Sequence, residues 1–114
     1  MSAQGSERRR SERVVLRVPV VVMAETREGA PVQEHAYTSV VNAHGGLMKL
    51  TMDLLAGQPI VLRNEQTKTE EPCRVVRREE LPDGALAVAF EFNRPAPDFW
   101  PVTFPPDDWR TSSS

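Results

Sequence analysis

The chain has one cysteine, Cys73, and two histidines, His35 and His44. A lone cysteine excludes an intrachain disulfide and suits a reducing compartment, so a cytoplasmic location is expected. Without cysteine–histidine spacing there is no zinc signature. Long apolar runs are also missing. The longest, residues 18–24, is far too short to cross a bilayer and contains Pro19. The basic start leads straight into a β-branched segment, with no apolar stretch followed by small residues, so neither a signal peptide nor a membrane partner is expected. Helical periodicity and internal repeats are absent. So are the Gly-Xaa-Ser-Xaa-Gly elbow, the phosphate loop and the dinucleotide fingerprint. The carboxylates are scattered over loops, and His44 has no evident second group to position it for proton transfer. No catalytic residue, metal or cofactor is expected, and the chain reads as a non-enzyme.

What remains is a small soluble domain. With 114 residues, 39% of them hydrophobic and 26% charged, one domain with a modest core is the natural reading. The net charge of −2 argues against bulk nucleic-acid binding. The charge is uneven, however. Five arginines lie between Met1 and Arg17, against Glu7 and Glu12, whereas Asp98, Asp107 and Asp108 crowd the other end. Such asymmetry points to a local anionic partner.

Six strands are expected, over residues 14–24, 36–41, 47–50, 59–64, 73–78 and 85–92. In the first, Val14, Leu16, Val18, Val20 and Val22 share a face, with Pro19 marking an edge or a bulge. In the fifth, Cys73, Val75 and Arg77 alternate with Arg74, Val76 and Arg78, and Cys73 reads as a small core residue. The sixth has the cleanest period of two, with Leu86, Val88, Phe90 and Phe92 facing the core. Residues 25–34 and 64–71 read as connections, and 51–58 as a loop or one helical turn. Leu81-Pro82-Asp83-Gly84 is a turn in which proline presets φ and glycine takes the left-handed position. Together these give an all-β domain, a small closed or nearly closed barrel. Three regions are expected: residues 1–13 as a flexible arginine-rich arm, 14–92 as the barrel, and 93–114 as a proline- and aromatic-rich tail. Phe99, Trp100, Phe104 and Trp109 would make the tail a strap packed on the barrel, since their exposure would leave a sticky patch.

The central stretch is Val40-Val41-Asn42-Ala43-His44-Gly45-Gly46-Leu47-Met48-Lys49-Leu50, two β-prone runs around a polar knot. Adjacent glycines imply positive φ or a close approach that no Cβ may obstruct. A plain hairpin satisfies this; so does a surface on which a flat ligand rests. Ahead of the first strand lies Arg8-Arg9-Arg10-Ser11-Glu12-Arg13.

This order of elements, over residues 8–92, resembles the PilZ family of bacterial cyclic di-GMP receptors. The resemblance implies a six-stranded antiparallel β-barrel with two ligand motifs, Arg-Xaa-Xaa-Xaa-Arg before the first strand and Asp/Asn-Xaa-Ser-Xaa-Xaa-Gly at a β-turn. Arg9-Arg10-Ser11-Glu12-Arg13 matches the first, and Arg8 extends it. Arg13-Val14-Val15-Leu16-Arg17 has the same spacing but lies inside the strand. The second motif is degenerate. With its last glycine on Gly46, Val41 takes the acid or amide position and Ala43 the serine position. Asn42 falls one place late, on the other face of the strand unless a bulge intervenes. The candidate ligand-binding residues are therefore Arg8, Arg9, Arg13, Asn42, Ala43, Gly45 and Gly46.

The resemblance implies a signalling receptor or adaptor that binds cyclic di-GMP. The arginine fork suits both its phosphates and its guanine edges. The arm would order on binding and pass the signal to a downstream protein. Losing polar partners at positions 41 and 43 costs about 1–3 kcal/mol each, which weakens binding tens- to thousands-fold. Two alternatives stand beside this. One is a degenerate PilZ-fold module that works by protein contact without the nucleotide. The other is a basic-arm nucleic-acid binder, which would show steep salt dependence.

Overall fold

Period-two alternation of apolar side chains decides most of the architecture. The computed structural model describes residues 13–102, so Arg8, Arg9, Arg10, Phe104 and Trp109 lie outside the described residues. Seven strands follow in order: β1 (Val14–Val15), β2 (Pro19–Glu25), β3 (Pro31–Asn42), β4 (Gly45–Leu50), β5 (Pro59–Asn64), β6 (Glu70–Glu80) and β7 (Leu86–Phe92). Every pairing is antiparallel. Strands β2 to β7 form the ring β3-β2-β5-β6-β7-β4, closed because β4 also pairs with β3. Closure removes the sheet edges that an open sheet would leave to pair with other chains. The expected six-stranded barrel is thus present, with β1 added beside the end of β3.

The core is the inner row of each strand. Val20, Val22, Val41, Met48, Leu50, Leu62, Val75 and Val88 are all essentially sealed from solvent, and Leu54 of the β4–β5 loop joins them. The large-residue face of β7 is as expected: Leu86, Val88, Phe90 and Phe92 are buried. Cys73 is a core residue. Burial, with the Glu71 carboxylate adding to it, pushes its thiol up to about 12. The 81–84 turn forms, with Gly84 at φ +89°. Beyond β7, a 3-10 turn at Pro97–Phe99 lays Phe99 and Trp100 on Phe90 and Phe92, forming a four-ring aromatic cluster.

Four local expectations are corrected. The first strand breaks at residues 16–18 into β1 and β2, and Pro19 is the first residue of β2, where its missing N–H costs nothing. The connection ends earlier than expected, at residue 30, because a turn at 26–29 with Gly29 at φ +86° lets β3 begin at Pro31. The fifth strand runs from Glu70 to Glu80, since Glu70 and Glu71 pair with Arg63 and Leu62 despite their poor strand propensity. Finally, β6 carries a bulge between Val75 and Arg77, so Arg77 leaves the face of Cys73 and Val75.

The break at 16–18 is held by Thr38, whose side chain is 3% exposed. Its Oγ1 accepts the Val18 N–H at 2.9 Å and donates to the Leu16 carbonyl at 2.7 Å. The backbone adds Leu16 N–H to Ser39 O and Thr38 N–H to Val18 O. Both backbone groups that the break would leave unpaired are therefore satisfied, and β1 is held alongside the end of β3. The other buried polar side chain, Asn64, donates to the Phe99 carbonyl at 2.7 Å and accepts the Gln66 N–H at 2.9 Å, tying the β5–β6 turn to the aromatic segment.

Candidate functional site

At the closure of the barrel, register arranges the residues of five strands in rows. The inner row is Val14–Val41–Gly46–Phe90–Val75. On the outer side of it runs an apolar row, Val15–Val40–Leu47–Ala89, which ends at Arg77. A second outer row is polar. Asn42 pairs with Gly45, Gly45 with Glu91 and Glu91 with Arg74. Arg13, one residue before the Val14–Val41 pair, continues this row opposite Asn42. Neighbouring strands lie about 4.8 Å apart, so each row extends about 19 Å around the barrel. The rows line an open groove of about 700 Å³, to which His44 and Val76 also contribute. Its apolar side is accessible: Val15 is 86% exposed and Val76 47%.

A bulge in β3 decides what faces this groove. Ala36 and Thr38 point inward, but the register on β4 shifts between Thr38 and Val40, so the later inward residues are Val41 and Ala43. Both are completely buried. Without the bulge Asn42 would face the core; with it, Asn42 lines the groove. The one-residue slip in the motif is thus offset by a bulge three residues upstream, which polar Ser39 does not announce.

Asn42 also builds the turn. Its Oδ1 accepts the His44 N–H at 2.7 Å and the Gly45 N–H at 2.9 Å, closing a two-residue hairpin over Ala43 and His44. The amide oxygen is spent there, and the amide N–H2 side remains to meet a ligand. The aromatic segment fastens the same hairpin from behind. Trp100 Nε1–H donates to the Asn42 carbonyl at 2.9 Å, Ala96 N–H to Ala43 O at 3.0 Å, and Phe92 N–H to His44 O at 2.7 Å.

The paired glycines are explained by the chain's own packing. Neither takes a positive φ. A Cβ on Gly45 would lie 2.1 Å from the Phe90 carbonyl oxygen and 2.9 Å from the Glu91 Cα; on Gly46 it would lie 2.6 Å from Val40 O. Strands β3, β4 and β7 converge so closely here that only glycine fits. The same lack of side chains keeps the groove low at its centre.

Of the residues expected from sequence, the structure brings Arg13, Asn42, Gly45 and Gly46 together in the groove. Ala43 lies beneath it in the core, and Arg8 and Arg9 are outside the described residues. Sequence reasoning missed Thr38, which positions the root of the arm, and it missed Val15, Val76, Arg77 and Glu91 as lining residues. Only the Val-Val pairs at 14–15 and 75–76, of which Val15 and Val76 are exposed, carried a signal, since alternation puts one member of each pair outside. Among the described residues no cluster of histidine, cysteine and carboxylate groups is arranged to hold a metal, and no helix is long and apolar enough to cross a membrane.

No protein-family model and no curated protein sequence matches the chain. Solved structures do. The inhibitor of motility MotI/DgrA of Bacillus subtilis superposes with a TM-score of 0.63 at 16% identity, over 80% of this chain and 45% of its own. This chain therefore spans less than half of that protein. The PilZ domain of CeSA from a cellulose-synthesizing bacterium superposes with a TM-score of 0.53 at 21% identity, over 73% of this chain and 81% of its own. The chain has the PilZ-like fold.

Proposed function

We propose that this PilZ-like barrel is a non-enzymatic, cytoplasmic receptor for cyclic di-GMP, and that its groove holds the nucleotide. One observation carries the reading: the root of the arginine arm, Arg13, and the motif hairpin, Asn42 with Gly45 and Gly46, line a single groove although about 30 residues separate them in sequence. The chemistry suits the ligand. The row of Val15, Val40, Leu47 and Ala89 offers a flat apolar bed for a purine. Arg13 and the Asn42 amide N–H2 supply donors to phosphate oxygens and to guanine O6 and N7. Arg8 and Arg9 would close over the bound nucleotide from the arm. Ordering of the arm, relayed through the hairpin to the aromatic segment, would present a changed surface to a downstream protein.

The test is calorimetric titration of the full chain with cyclic di-GMP, beside cyclic di-AMP and the Arg9→Ala/Arg13→Ala double variant. Saturable binding that prefers the guanine dinucleotide and vanishes in the double variant supports the reading. No heat and no thermal shift at high micromolar ligand refutes it. A second reading, a protein-interaction module that has lost the nucleotide, is favoured by one specific feature. The residues at the motif's acid and serine positions, Val41 and Ala43, are apolar and fully buried, and Asn42 has committed its oxygen to the turn.

A further inference from the structure

We infer that Arg77, which belongs to neither arm nor hairpin motif, is a further ligand-contacting residue of the groove, gripping a phosphate or a guanine edge of the bound nucleotide. The inference rests on the receptor reading above. Three independent features of the described residues lead to it.

The first is the bulge. Strict alternation from Cys73 and Val75 would turn residue 77 into the core, where an arginine has no place. The extra residue, Val76, reverses the face, so Arg77 emerges on the outer surface opposite Ala89. Bulges re-aim side chains at the cost of local ladder bonds, and this one delivers a cation to the far wall of the groove.

The second is the state of the other cations. Arg63, Lys68, Lys49, Arg74 and Arg78 are each paired with a carboxylate, Arg17 stacks on the Tyr37 ring at 3.9 Å, and Arg27 and Arg94 do not line this groove. Arg77 and Arg13 make no ion pair or side-chain hydrogen bond with any described residue, and both line the same groove. Each retains a full fork of donors for an anion.

The third is what separates them. Between Arg13 and Arg77 the floor is Val40, Gly46, Leu47 and Ala89, and the one carboxylate among the described lining residues, Glu91, is held by Arg74. A planar base lying on Leu47 and Ala89 has Arg77 at one rim and Asn42 with Arg13 at the other. Arg77 thereby supplies from β6 a polar contact of the kind that buried Val41 and Ala43 cannot make.

The experiment titrates cyclic di-GMP into the wild-type chain, Arg77→Ala, Arg77→Lys and Arg27→Ala. Arg27 is a control: it lies on a different groove and, among the described residues, is also unpaired. Arg77→Ala is expected to bind about tenfold more weakly or worse, with its melting temperature unchanged. Arg77→Lys should also stay weaker than wild type, because lysine keeps the charge but loses the fork. Arg27→Ala should bind normally. Wild-type binding with Arg77→Ala indistinguishable from it, or with Arg27→Ala equally impaired, overturns the role of Arg77 and leaves the receptor reading standing. Absence of wild-type binding overturns the receptor reading, and this assignment with it.

Discussion

Replacing Thr38 by valine removes one hydroxyl and keeps the shape of the side chain. The hydroxyl is buried and uses both its functions, accepting from Val18 N–H at 2.9 Å and donating to Leu16 O at 2.7 Å. In the variant one backbone donor and one backbone acceptor lose their partner. Each group left unpaired costs about 1–3 kcal/mol. The methyl that replaces the hydroxyl returns about 1 kcal/mol of burial. The net loss is about 1–5 kcal/mol, a large share of the roughly 5–15 kcal/mol that holds a domain together. It corresponds to a melting temperature lower by about 5–20 °C. Urea unfolding followed by the fluorescence of buried Trp100 measures it. Thr38→Ser is the control: it keeps both hydrogen bonds, removes one buried methyl and should cost about 1 kcal/mol. If valine is tolerated as well as serine, the hydroxyl does not secure the β1–β2 break. Because that break aligns β1 with β3, Thr38→Val should also displace Arg13 and weaken the nucleotide binding proposed for the groove at temperatures where the barrel is still folded.

Three further outcomes are expected. Gly45→Ala forces a Cβ to within 2.1 Å of a backbone oxygen, so it should cost about 3 kcal/mol or more; an unchanged urea midpoint would show that β4 can move off β7. Trp100→Phe keeps a ring on Phe90 and Phe92 but deletes the bond to Asn42 O, so it should lose about 1 kcal/mol and sharpen exchange at the hairpin amides of His44 and Gly45. An exchange pattern identical to wild type would disconnect the aromatic segment from the hairpin. Cys73 titrates near 12 when folded, against an ordinary 9.0, so the folded state keeps a proton that the unfolded chain gives up. The stability this lends is complete below about pH 9 and declines by about 1.4 kcal/mol per pH unit until the folded thiol itself ionises. Cys73→Ala should therefore show a shallower loss of urea midpoint between about pH 9 and 11, and equal slopes would refute the burial effect. Alkylation of the wild-type thiol should likewise require unfolding.

The elements with one wet face were legible from sequence. The alternation of Leu86, Val88, Phe90 and Phe92 and the Pro82-Asp83-Gly84 turn depend on neighbours in the chain, and they appear where the pattern puts them. The candidate site was legible in part. Arg13, Asn42, Gly45 and Gly46 were picked out as residue types suited to an anionic nucleotide, but the reason both glycines are glycine was not visible. That reason is the convergence of three strands, one of which, β7, is far from Gly45 in sequence. Arg77 was assigned the wrong face because a bulge leaves no mark in a period-two pattern when its residues are Val75, Val76 and Arg77.

Local composition, then, determined that this chain forms antiparallel strands with a large-residue core, that it carries an arginine cluster ahead of them, and that it has a tight polar hairpin midway. Those properties arise from backbone preference and from the burial of alternate side chains, both readable over a few residues. Tertiary structure alone decided which face each later residue takes. The bulges at Ser39 and Val76 each insert one residue against a partner strand, and every side chain beyond them changes sides. That choice is energetic: inverting the faces after the first bulge would bury Asn42 and expose Val41, inverting them after the second would bury Arg77, and only closure of the barrel makes the penalty apply.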